Sequence, residues 1–542
     1  MAPPSQRARD TLGQPVAAAA PLSISLSGAL SGFYDNPACV GATRPTFTLA
    51  GGDSRIAFYF RAPTTEGTYL VTASSGALAP AQQSQTVLAQ PDALAFITSV
   101  PNQVRAGECV AATVGALRQG VDFAVSVDTP VQLSVSLPGA LRFYSDVQCA
   151  TRLAQDSVTI PAGSFTANFW VVPVIGARSH VLTAQAPTGT PATQTWTPRP
   201  IVRRNDCALP AGSPSVNCVI PVQVQPRDTT ATLLLAQSTT ASANSGDGEV
   251  VCRLNNGAAR VSCQRPASNN DAQVHYQVIE IPRGFRVEAN FSSAGCPSFV
   301  LASSFSPGQT FVLKTVSDSD ALFGGHDVAT YTLASTVDLS SSGGCNVAAV
   351  QAAQWTGISV TRGVVSGGLP VGAATATHFG LPVSGPNTIV LVQGTSNQAS
   401  GNPCDYFLRG TVASPTSIAV SRGASGTGAS CTSVALQVPF ERIDFGSRAT
   451  VQTLTTQLTS GTSVDVSITP VDATRSFVLS SSQSAGGQGA GELGSSQYQA
   501  GLVATELVAN PDGGYLSDVV RLRRGSSAGA ANVTFSVVQV EP

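Results

Sequence analysis

The chain has 542 residues, a length at which we expect about three to five domains with separate hydrophobic cores. Only 11% of the residues are charged, the net charge is −2, and Lys314 is the one lysine among 29 basic residues. So few positive charges cannot neutralise many phosphates, which argues against a nucleic-acid partner. The 51 Gly and 35 Pro, with abundant Ala, Val, Ser and Thr, favour short strands joined by turns over long helices.

The first 21 residues form a polar arm that is rich in alanine and proline. This arm has no apolar stretch of the kind that a secretory signal peptide needs, and no apolar run in the chain is long enough to cross a bilayer. We expect a mature or excised piece of protein with an added methionine.

A segment of strand, glycine turn and strand occurs twice near the N-terminus. FTLAGGDSRIAFYF at residues 47–60 returns as VTIPAGSFTANFWV at residues 158–171, and LSISL at 22–26 returns as LSVSL at 133–137. Self-similarity at a fixed spacing is typical of arrays of small modules. The sequence therefore predicts two related modules, at residues 1–91 and 92–199.

The first copy is the shorter of the two. The second copy has an additional lead segment before its LSVSL strand, and Cys109 in that segment can pair with Cys149, whereas Cys39 of the first copy has no such mate. We consider two explanations: a boundary placed inside a larger protein, or an incomplete sandwich whose open edge accepts a strand from a neighbouring subunit.

The second copy carries the pattern AGEC, then LSVSLPGALRFYSDVQC, VTIPAGSFTANFWV and HVLTA. This pattern resembles the immunoglobulin-like modules that occur in tandem on bacterial cell-surface and secreted proteins, and the resemblance covers about residues 1–199. It implies a β-sandwich that serves as a spacer or an adhesive unit.

A second type of repeat follows a linker at residues 200–216. One strand recurs in four versions, and each is followed by a closing strand, which predicts four β repeats at 200–281, 282–356, 357–440 and 441–542. The four versions are TLLLAQS (232–238), SFVLASS (298–304), TIVLVQG (388–394) and SFVLSSS (476–482). The closing strands are similar to repeats of fibre proteins, including some phage tail fibres.

The last closing strand, VTFSVVQV at 533–540, alternates with period two. Its pattern places Val533, Phe535 and Val537 on one face and Thr534 and Ser536 on the other. We expect these hydroxyl-bearing residues to face solvent, as in an antiparallel sandwich.

Eleven cysteines occur without any CxxC motif, and the four histidines are scattered, so the sequence predicts no metal site. Disulfides in an oxidising, extracytoplasmic compartment explain the cysteines better. Sequence order suggests five pairs, with Cys39 unpaired: Cys109 with Cys149, Cys207 with Cys218, Cys252 with Cys263, Cys296 with Cys345, and Cys404 with Cys431.

The remaining candidate groups each have a simple structural explanation. The acidic loop with Asp318, Asp320 and Asp327 lacks EF-hand spacing and is interpreted as a solvated turn. The carboxylates Glu441, Asp444 and Asp405 are interpreted as solvent-facing, and the arginines at 203, 204, 521, 523 and 524 as solubilising charge or contacts to anionic polysaccharide. Of the three tryptophans, Trp355 ends a closing strand, where it could pack between modules.

Together these observations predict an all-β, elongated tandem array of small immunoglobulin-like sandwiches. The expected protein is a non-catalytic structural or adhesive protein, secreted or at the cell surface, without a cofactor. Its expected partners are copies of itself, other surface proteins or polysaccharide. The alternatives are a carbohydrate-binding region of a larger secreted enzyme and a virion or injection-device fibre.

Overall fold

The computed structural model describes most of the chain. The described residues are 5–9, 13–28, 32–61, 63, 65–76, 78–100, 104–176, 179–220, 225–226, 228–241, 250–255, 260–266, 269–281, 284–292, 298–302, 304–318, 328–333, 336–340, 345–394, 407–423, 434–459, 461–484, 501–508, 516–527 and 529–541. They form many small antiparallel sheets, so the predicted all-β class and the tandem sandwich array are confirmed. No described helix has the length and apolar character needed to cross a membrane.

Module one contains eight strands. They are β1 (Ser5–Arg7), β2 (Leu22–Ser27), β3 (Phe33–Tyr34), β4 (Thr46–Leu49), β5 (Arg55–Ala57), β6 (Tyr59–Phe60), β7 (Gly67–Ser75) and β8 (Leu78–Val87). Its larger sheet has the order β4-β2-β7-β8, while β1 pairs with β5 and β3 with β6. Its core includes Phe33, Phe47 and Phe58.

Module two is a fuller sandwich of two sheets. Its strands are β9 (Ala93–Phe96), β10 (Val110–Arg118), β11 (Val121–Asp122), β12 (Thr129–Val135), β13 (Leu141–Tyr144), β14 (Ser157–Ile160), β15 (Thr166–Pro173), β16 (His180–Gln185) and β17 (Ala192–Trp196). One sheet has the order β11-β10-β15-β13 with β9 also on β10, and the other has the order β14-β12-β16-β17. Because successive side chains of a strand point to opposite faces, residues such as Val131 and Leu133 reach the core between the sheets.

The rest of the chain forms four units, repeats A to D, of six strands each. Repeat A contains β18 (Val202–Leu209), β19 (Ser215–Val219), β20 (Thr232–Thr240), β21 (Val251–Leu254), β22 (Arg260–Gln264) and β23 (Ala272–Glu280). Repeat B contains β24 (Phe285–Ser292), β25 (Phe299–Val300), β26 (Thr310–Asp318), β27 (Val328–Leu333), β28 (Thr336–Ser340) and β29 (Cys345–Trp355).

Repeat C contains β30 (Ser359–Val364), β31 (Thr375–His378), β32 (Thr388–Val392), β33 (Arg409–Ser414), β34 (Ser417–Ser421) and β35 (Pro439–Asp444). Repeat D contains β36 (Ala449–Leu458), β37 (Ser463–Asp472), β38 (Ser476–Ser484), β39 (Val503–Leu507), β40 (Leu516–Arg524) and β41 (Ala531–Val540). In every repeat the first, sixth and third strands form one sheet, with the sixth in the middle. The second, fifth and fourth strands form the other, with the fifth in the middle.

The four repeats are arranged in a ring. Hydrogen bonds connect A to B, B to C and C to D, and the ring is closed because repeat D also bonds to repeat A, for example from the Val202 amide to the Thr474 carbonyl (2.9 Å). The sequence predicts an elongated array, and the ring shows that the last four members of the array are not extended end to end.

A single hydrophobic core lies where the first sheets of the four repeats meet. Each repeat contributes residues from equivalent positions of its third and sixth strands, and each Leu, Ile, Val or Phe side chain among them contributes roughly 1.5–3 kcal/mol when it is fully buried. These residues are Leu233 and Ile279 in A, Phe311 and Ala353 in B, Ile389 and Ile443 in C, and Phe477 and Val538 in D.

Trp355 crosses one of the boundaries in this core. Its ring lies 5.7 Å from the Phe285 ring of its own repeat and 5.8 Å from the Phe445 ring of repeat C, both edge-on. The expectation that Trp355 packs between modules is therefore confirmed.

In repeats A, B and C, one position of the sixth strand connects the repeat to the preceding one around the ring. The Gln277 amide of repeat A donates to the Val478 carbonyl of repeat D (2.8 Å), and its oxygen accepts from the Val478 amide (3.0 Å). Gln351 of repeat B makes the same two bonds to Leu234 of repeat A. At these boundaries, the free backbone amide and carbonyl of an edge strand are hydrogen-bonded by a side chain of the neighbouring repeat.

Two of the boundaries carry an additional arginine. In repeat C, Glu441 accepts from the Val312 amide of repeat B (2.8 Å) and from Arg362 (2.6 Å), and Arg362 also donates to the Pro307 and Thr310 carbonyls. Arg204 makes the equivalent bonds to the Ala473 and Ser476 carbonyls, beside Gln277. Burial raises the pKa of Glu441, although Arg362 opposes the shift.

The boundary between C and D lacks this connecting side chain. The equivalent residue is Ser536, whose hydroxyl lies 2.8 Å from Thr453 of its own repeat. A cavity of about 200 Å³ lies beside it and is bordered by Val390, Ser480 and Thr534. The shorter side chain thus leaves space where the other boundaries have a bridge.

Module two is attached to the ring through a buried carboxylate. Glu280 is 1% exposed, and it accepts from Arg105 of module two (2.8 Å), from Arg203 (2.9 Å) and from the Asp228 amide (3.1 Å). Burial lowers the pKa of Arg203, and Glu280 counteracts this shift. A carboxylate that is shared by two arginines fixes the orientation of the two units.

Two details differ from the sequence interpretation. The sixth strand of repeat C runs from Pro439 to Asp444, so the expected border at 440 between the third and fourth repeats falls inside a strand. In the last closing strand Thr534 and Ser536 are only 5% and 7% exposed, because the neighbouring repeat of the ring covers this face. The expectation that these hydroxyls face solvent is wrong.

The described residues contain three disulfides. Cys109–Cys149 connects the start of β10 to a loop of module two, Cys207–Cys218 connects the two sheets of repeat A, and Cys252–Cys263 joins paired strands of that repeat. Cys39 has no disulfide partner. Cys296, Cys404 and Cys431 lie outside the described residues, so the Cys296–Cys345 and Cys404–Cys431 pairs stay predictions.

Changing the connecting residue should change ring stability in opposite directions at two boundaries. Gln277→Ala leaves the Val478 amide and carbonyl without this partner and should lower the free energy of unfolding by about 1–3 kcal/mol. Ser536→Gln supplies the missing bridge and should raise it by about 1 kcal/mol. Urea unfolding followed by circular dichroism measures both effects.

The matched control is Gln452→Ala. Gln452 makes the same two bonds to Thr469, but inside repeat D and at a partly exposed position. We expect a loss well below that of Gln277→Ala. Equal losses for the two variants would contradict the assignment of Gln277 to ring closure.

Candidate functional site

A cavity of about 620 Å³ lies where the first and last repeats meet. Strands β20 and β23 of repeat A form one wall, and strands β37 and β40 of repeat D form the other. Its charged lining residues are His275, Asp465, Arg521, Arg523 and Arg524. Ring closure creates this cavity, since neither repeat contributes more than one wall.

A row of polar side chains follows β18, β23 and β20 on the repeat A wall. Asp206 and His275 are directly opposite in the pairing of β18 with β23, and the Nδ1 atom of His275 lies 2.8 Å from the Asp206 carboxylate. The Nε2 atom lies 3.4 Å from the Thr239 hydroxyl. His275 is 6% exposed, so the two neighbours hold the imidazole in one orientation.

Repeat D adds a second carboxylate. Glu506 on β39 pairs with Arg523 on β40 at 2.6 Å, and one ligand atom each of Asp206, His275 and Glu506 lie within 4.8 Å of one another. Next to them, Arg521 makes two bonds of 2.7 and 2.8 Å to the Asp465 carboxylate. The seam therefore brings together groups that are far apart in the sequence.

The hydrogen bond from His275 lowers the pKa of Asp206, partial burial opposes this shift, and the charges of His275 and Arg523 add to the lowering. The Arg521 bonds likewise lower the pKa of Asp465. Both carboxyl groups therefore have a pKa below that of an ordinary aspartate.

The Asp206–His275–Thr239 row has the connectivity of a nucleophile, a base and an orienting acid. However, the Thr239 hydroxyl is 8% exposed, and its 3.4 Å separation from the imidazole exceeds the roughly 2.6–3.2 Å of an activated nucleophile. The row thus orients the imidazole. An imidazole nitrogen and two carboxylates could instead hold a divalent ion.

Asp206, His275 and Glu506 are not recognisable as a group from the sequence alone. His275 was one of four scattered histidines, and Asp206 and Glu506 lie in other strands, so no local motif connects the three. The alternation of VHYQVIEI does place His275 and Gln277 on one face of the closing strand. A second signal was the recurrence of this strand in all four repeats.

Other predicted residues lie elsewhere. Arg203 and Arg204 are structural residues at the ring boundaries and not solubilising charge, and desolvation lowers the pKa of Arg204 to about 10. Glu441 is 6% exposed, so its interpretation as solvent-facing is wrong. Asp405, Asp320 and Asp327 lie outside the described residues.

The tryptophans give no exposed pair for stacking on a sugar. Trp196 and Trp355 are 1% and 2% exposed, and Trp170 is half-buried in β15. Their packing inside and between modules accounts for them.

Comparisons with known proteins give no family. No family model matches the chain, and no curated protein matches it. Several solved structures match parts of the chain. The Yersinia pseudotuberculosis adhesin InvE is 17% identical over 36% of this chain and 53% of its own, with a TM-score of 0.19.

Invasin, a bacterial integrin-binding protein, is 10% identical over 80% of this chain and 95% of its own, with a TM-score of 0.19. A β-glycosidase from Bacteroides vulgatus is 12% identical over 32% of this chain and 21% of its own, with a TM-score of 0.17. The chain covers only about a fifth to a half of the length of each of the first solved structures that it matches. At such low TM-scores the similarities assign no function.

The lowered pKa of Asp206 predicts a pH-dependent contribution to stability. A carboxyl whose folded-state pKa is depressed stabilises above its unfolded value, about 3.9, and the stabilisation is lost as the pH falls through the folded value. Asp206→Asn should therefore be less stable than wild type at pH 7. The difference in the free energy of unfolding between the variant and the wild type should disappear in acid. Urea unfolding between pH 7 and pH 3, with a chelator present, measures this difference.

His275→Gln is the companion variant, because it removes the main cause of the shift. In this background the Asp206→Asn change should have a smaller effect at pH 7 than in the wild type. A stability gap that is independent of pH would contradict the role of the Asp206 charge.

Proposed function

We propose that this chain is a non-catalytic structural or adhesive protein of the cell surface or the extracellular space. The proposal rests chiefly on the three disulfides, which tie small β modules together and are typical of oxidising compartments. Module two is attached to the ring, and module one is joined to module two by the segment between β8 and β9 and by an ion pair between Glu66 and Arg118 (2.7 Å).

Module one would supply the contacts between copies. Its outer strand β8 has ten residues without a charge, pairs with β7 on one side, and is exposed on both faces over most of its length. The equivalent strand of module two, β17, has five residues, and Ala192 and Trp196 on it are buried. A long, uncharged edge strand is a template for adding another strand.

The other sheet of module one has an open side as well. In module two, β10 pairs with β15 beyond Phe169 and as far as Val171. In module one, β1 pairs with β5, which corresponds to the first part of β15, and this pairing ends at Ala57. Beyond that point, the described residues provide no strand on this side of β6. One self-complementary edge gives dimers, and two edges on one module allow copies to continue into a fibre.

Self-association should therefore depend on β8. Sedimentation of the full chain over a range of concentrations should show growing assemblies. Gln82→Lys with Ser84→Lys should shift association to at least about tenfold higher concentration, because like charges oppose edge pairing. Both residues are exposed in β8, so the fold is preserved.

Thr193→Lys with Thr195→Lys is the control, since it places the same charges at exposed positions of β17. It should leave association unchanged. A wild-type chain that stays monomeric at high concentration, with module one sensitive to protease, would rule out assembly through this module.

The surface location predicts the redox state of native material. Alkylation of the folded protein before reduction should label Cys39 and leave the six cysteines of the three disulfides unlabelled. Peptide mass spectrometry checks this. Free thiols at Cys109, Cys207 and Cys252 would instead indicate a reducing compartment and would remove the main support of the proposal.

A further inference from the structure

We infer that Asp206, His275 and Glu506 form a binding site for one divalent transition-metal ion, with zinc the best match. The site would join repeat A to repeat D, and it goes beyond the structural role proposed above. It rests on the placement of three ligand atoms from two repeats and on the groups that orient them.

The spacing of the ligand atoms suits such an ion. A tetrahedral zinc with ligands at about 2.0–2.1 Å has ligand atoms about 3.3 Å apart. The three atoms here lie within 4.8 Å of one another, with 2.8 Å between His275 Nδ1 and Asp206. Small side-chain rotations bring them to the required distances.

All three ligands come from strands. Asp206 and His275 face each other on the paired strands β18 and β23, and Glu506 lies on β39, which pairs with β40. Ligands on paired strands are held more firmly than ligands on loops. A water molecule would complete the four ligands, since the Asp206 side of the group is exposed to solvent.

The surrounding groups support the ligands. With a metal on Nδ1, the Nε2–H of His275 donates to the Thr239 hydroxyl, which fixes the ring as outer-shell partners of metal-bound histidines do. Arg523 holds one oxygen of Glu506 and leaves the other for the ion. Two carboxylates offset the charge of the ion. When no ion is bound, the positive charge of Arg523 offsets part of the negative charge of these carboxylates.

The donor set also selects the type of ion. One imidazole nitrogen with two carboxylates suits zinc, cobalt or nickel, whereas calcium and magnesium prefer sites made of oxygen alone. The ion would connect the two ends of the ring, so it should favour the closed ring over an opened one.

The test uses the full chain after removal of metals by a chelator. Isothermal titration with zinc chloride should show one site per chain, and zinc should raise the thermal unfolding temperature while magnesium at the same concentration does not. Cobalt chloride should give the visible absorption of a low-coordinate site. Absence of zinc binding at millimolar concentration would overturn the inference.

The variants identify the ligands. His275→Gln, Asp206→Asn and Glu506→Gln should each weaken zinc binding by about 100-fold or more and abolish the cobalt spectrum, since even the loss of an outer partner costs about 10–100-fold. Thr239→Val removes only the outer partner and should weaken binding by about tenfold.

Asp465→Asn is the matched control, because it removes a carboxylate from the same cavity but not from the three ligands. It should bind zinc like the wild type. Zinc binding that is unchanged in His275→Gln, or lost equally in Asp465→Asn, would overturn the assignment. Circular dichroism of each metal-free variant shows whether it has folded, and the unfolding shift of the wild type is independent of the variants.

Discussion

The shared core of the ring is the constraint on which the rest of this structure depends. Each repeat has two three-stranded sheets, and such a small unit buries little apolar surface by itself. The first sheet of every repeat therefore presents a second apolar face, with residues such as Leu233 and Phe477, that only the other repeats can cover. Each repeat keeps its own small core between its two sheets, and the four repeats share the additional core of the ring.

The same closure explains the polar groups at the boundaries. Once the sixth strands face neighbouring repeats, their outward side chains meet the edge of another sheet and are removed from water. Gln277, Gln351 and Glu441 satisfy backbone groups there, and Arg204 and Arg362 cover carbonyls. Burial of these side chains is tolerated because each makes hydrogen bonds across a boundary, although the Nε of Arg204 has no partner among the described residues.

The four boundaries of the ring are not equivalent, because they differ in the side chains that connect the two repeats. The A–D and B–C boundaries have an arginine together with a long acceptor, the A–B boundary has a glutamine alone, and the C–D boundary has Ser536 beside a cavity. Module two is attached through Glu280 near the A–D boundary, and the Asp206–His275–Glu506 group lies at that same seam. Closure and attachment are therefore concentrated where the first and last repeats meet.

The sequence by itself determined what is local and repeated. Period-two alternation, turn residues and self-similar strands gave the all-β class, the two related N-terminal modules and the four later repeats, because these depend on neighbours a few residues apart. The tertiary structure alone decided that the repeats close into a ring. It thereby decided that Thr534, Ser536 and Glu441 are buried and that His275 meets Glu506. The physical reason is that a strand pattern specifies which side chains share a face but not what covers that face, and the covering partner of repeat A comes from the far end of the chain.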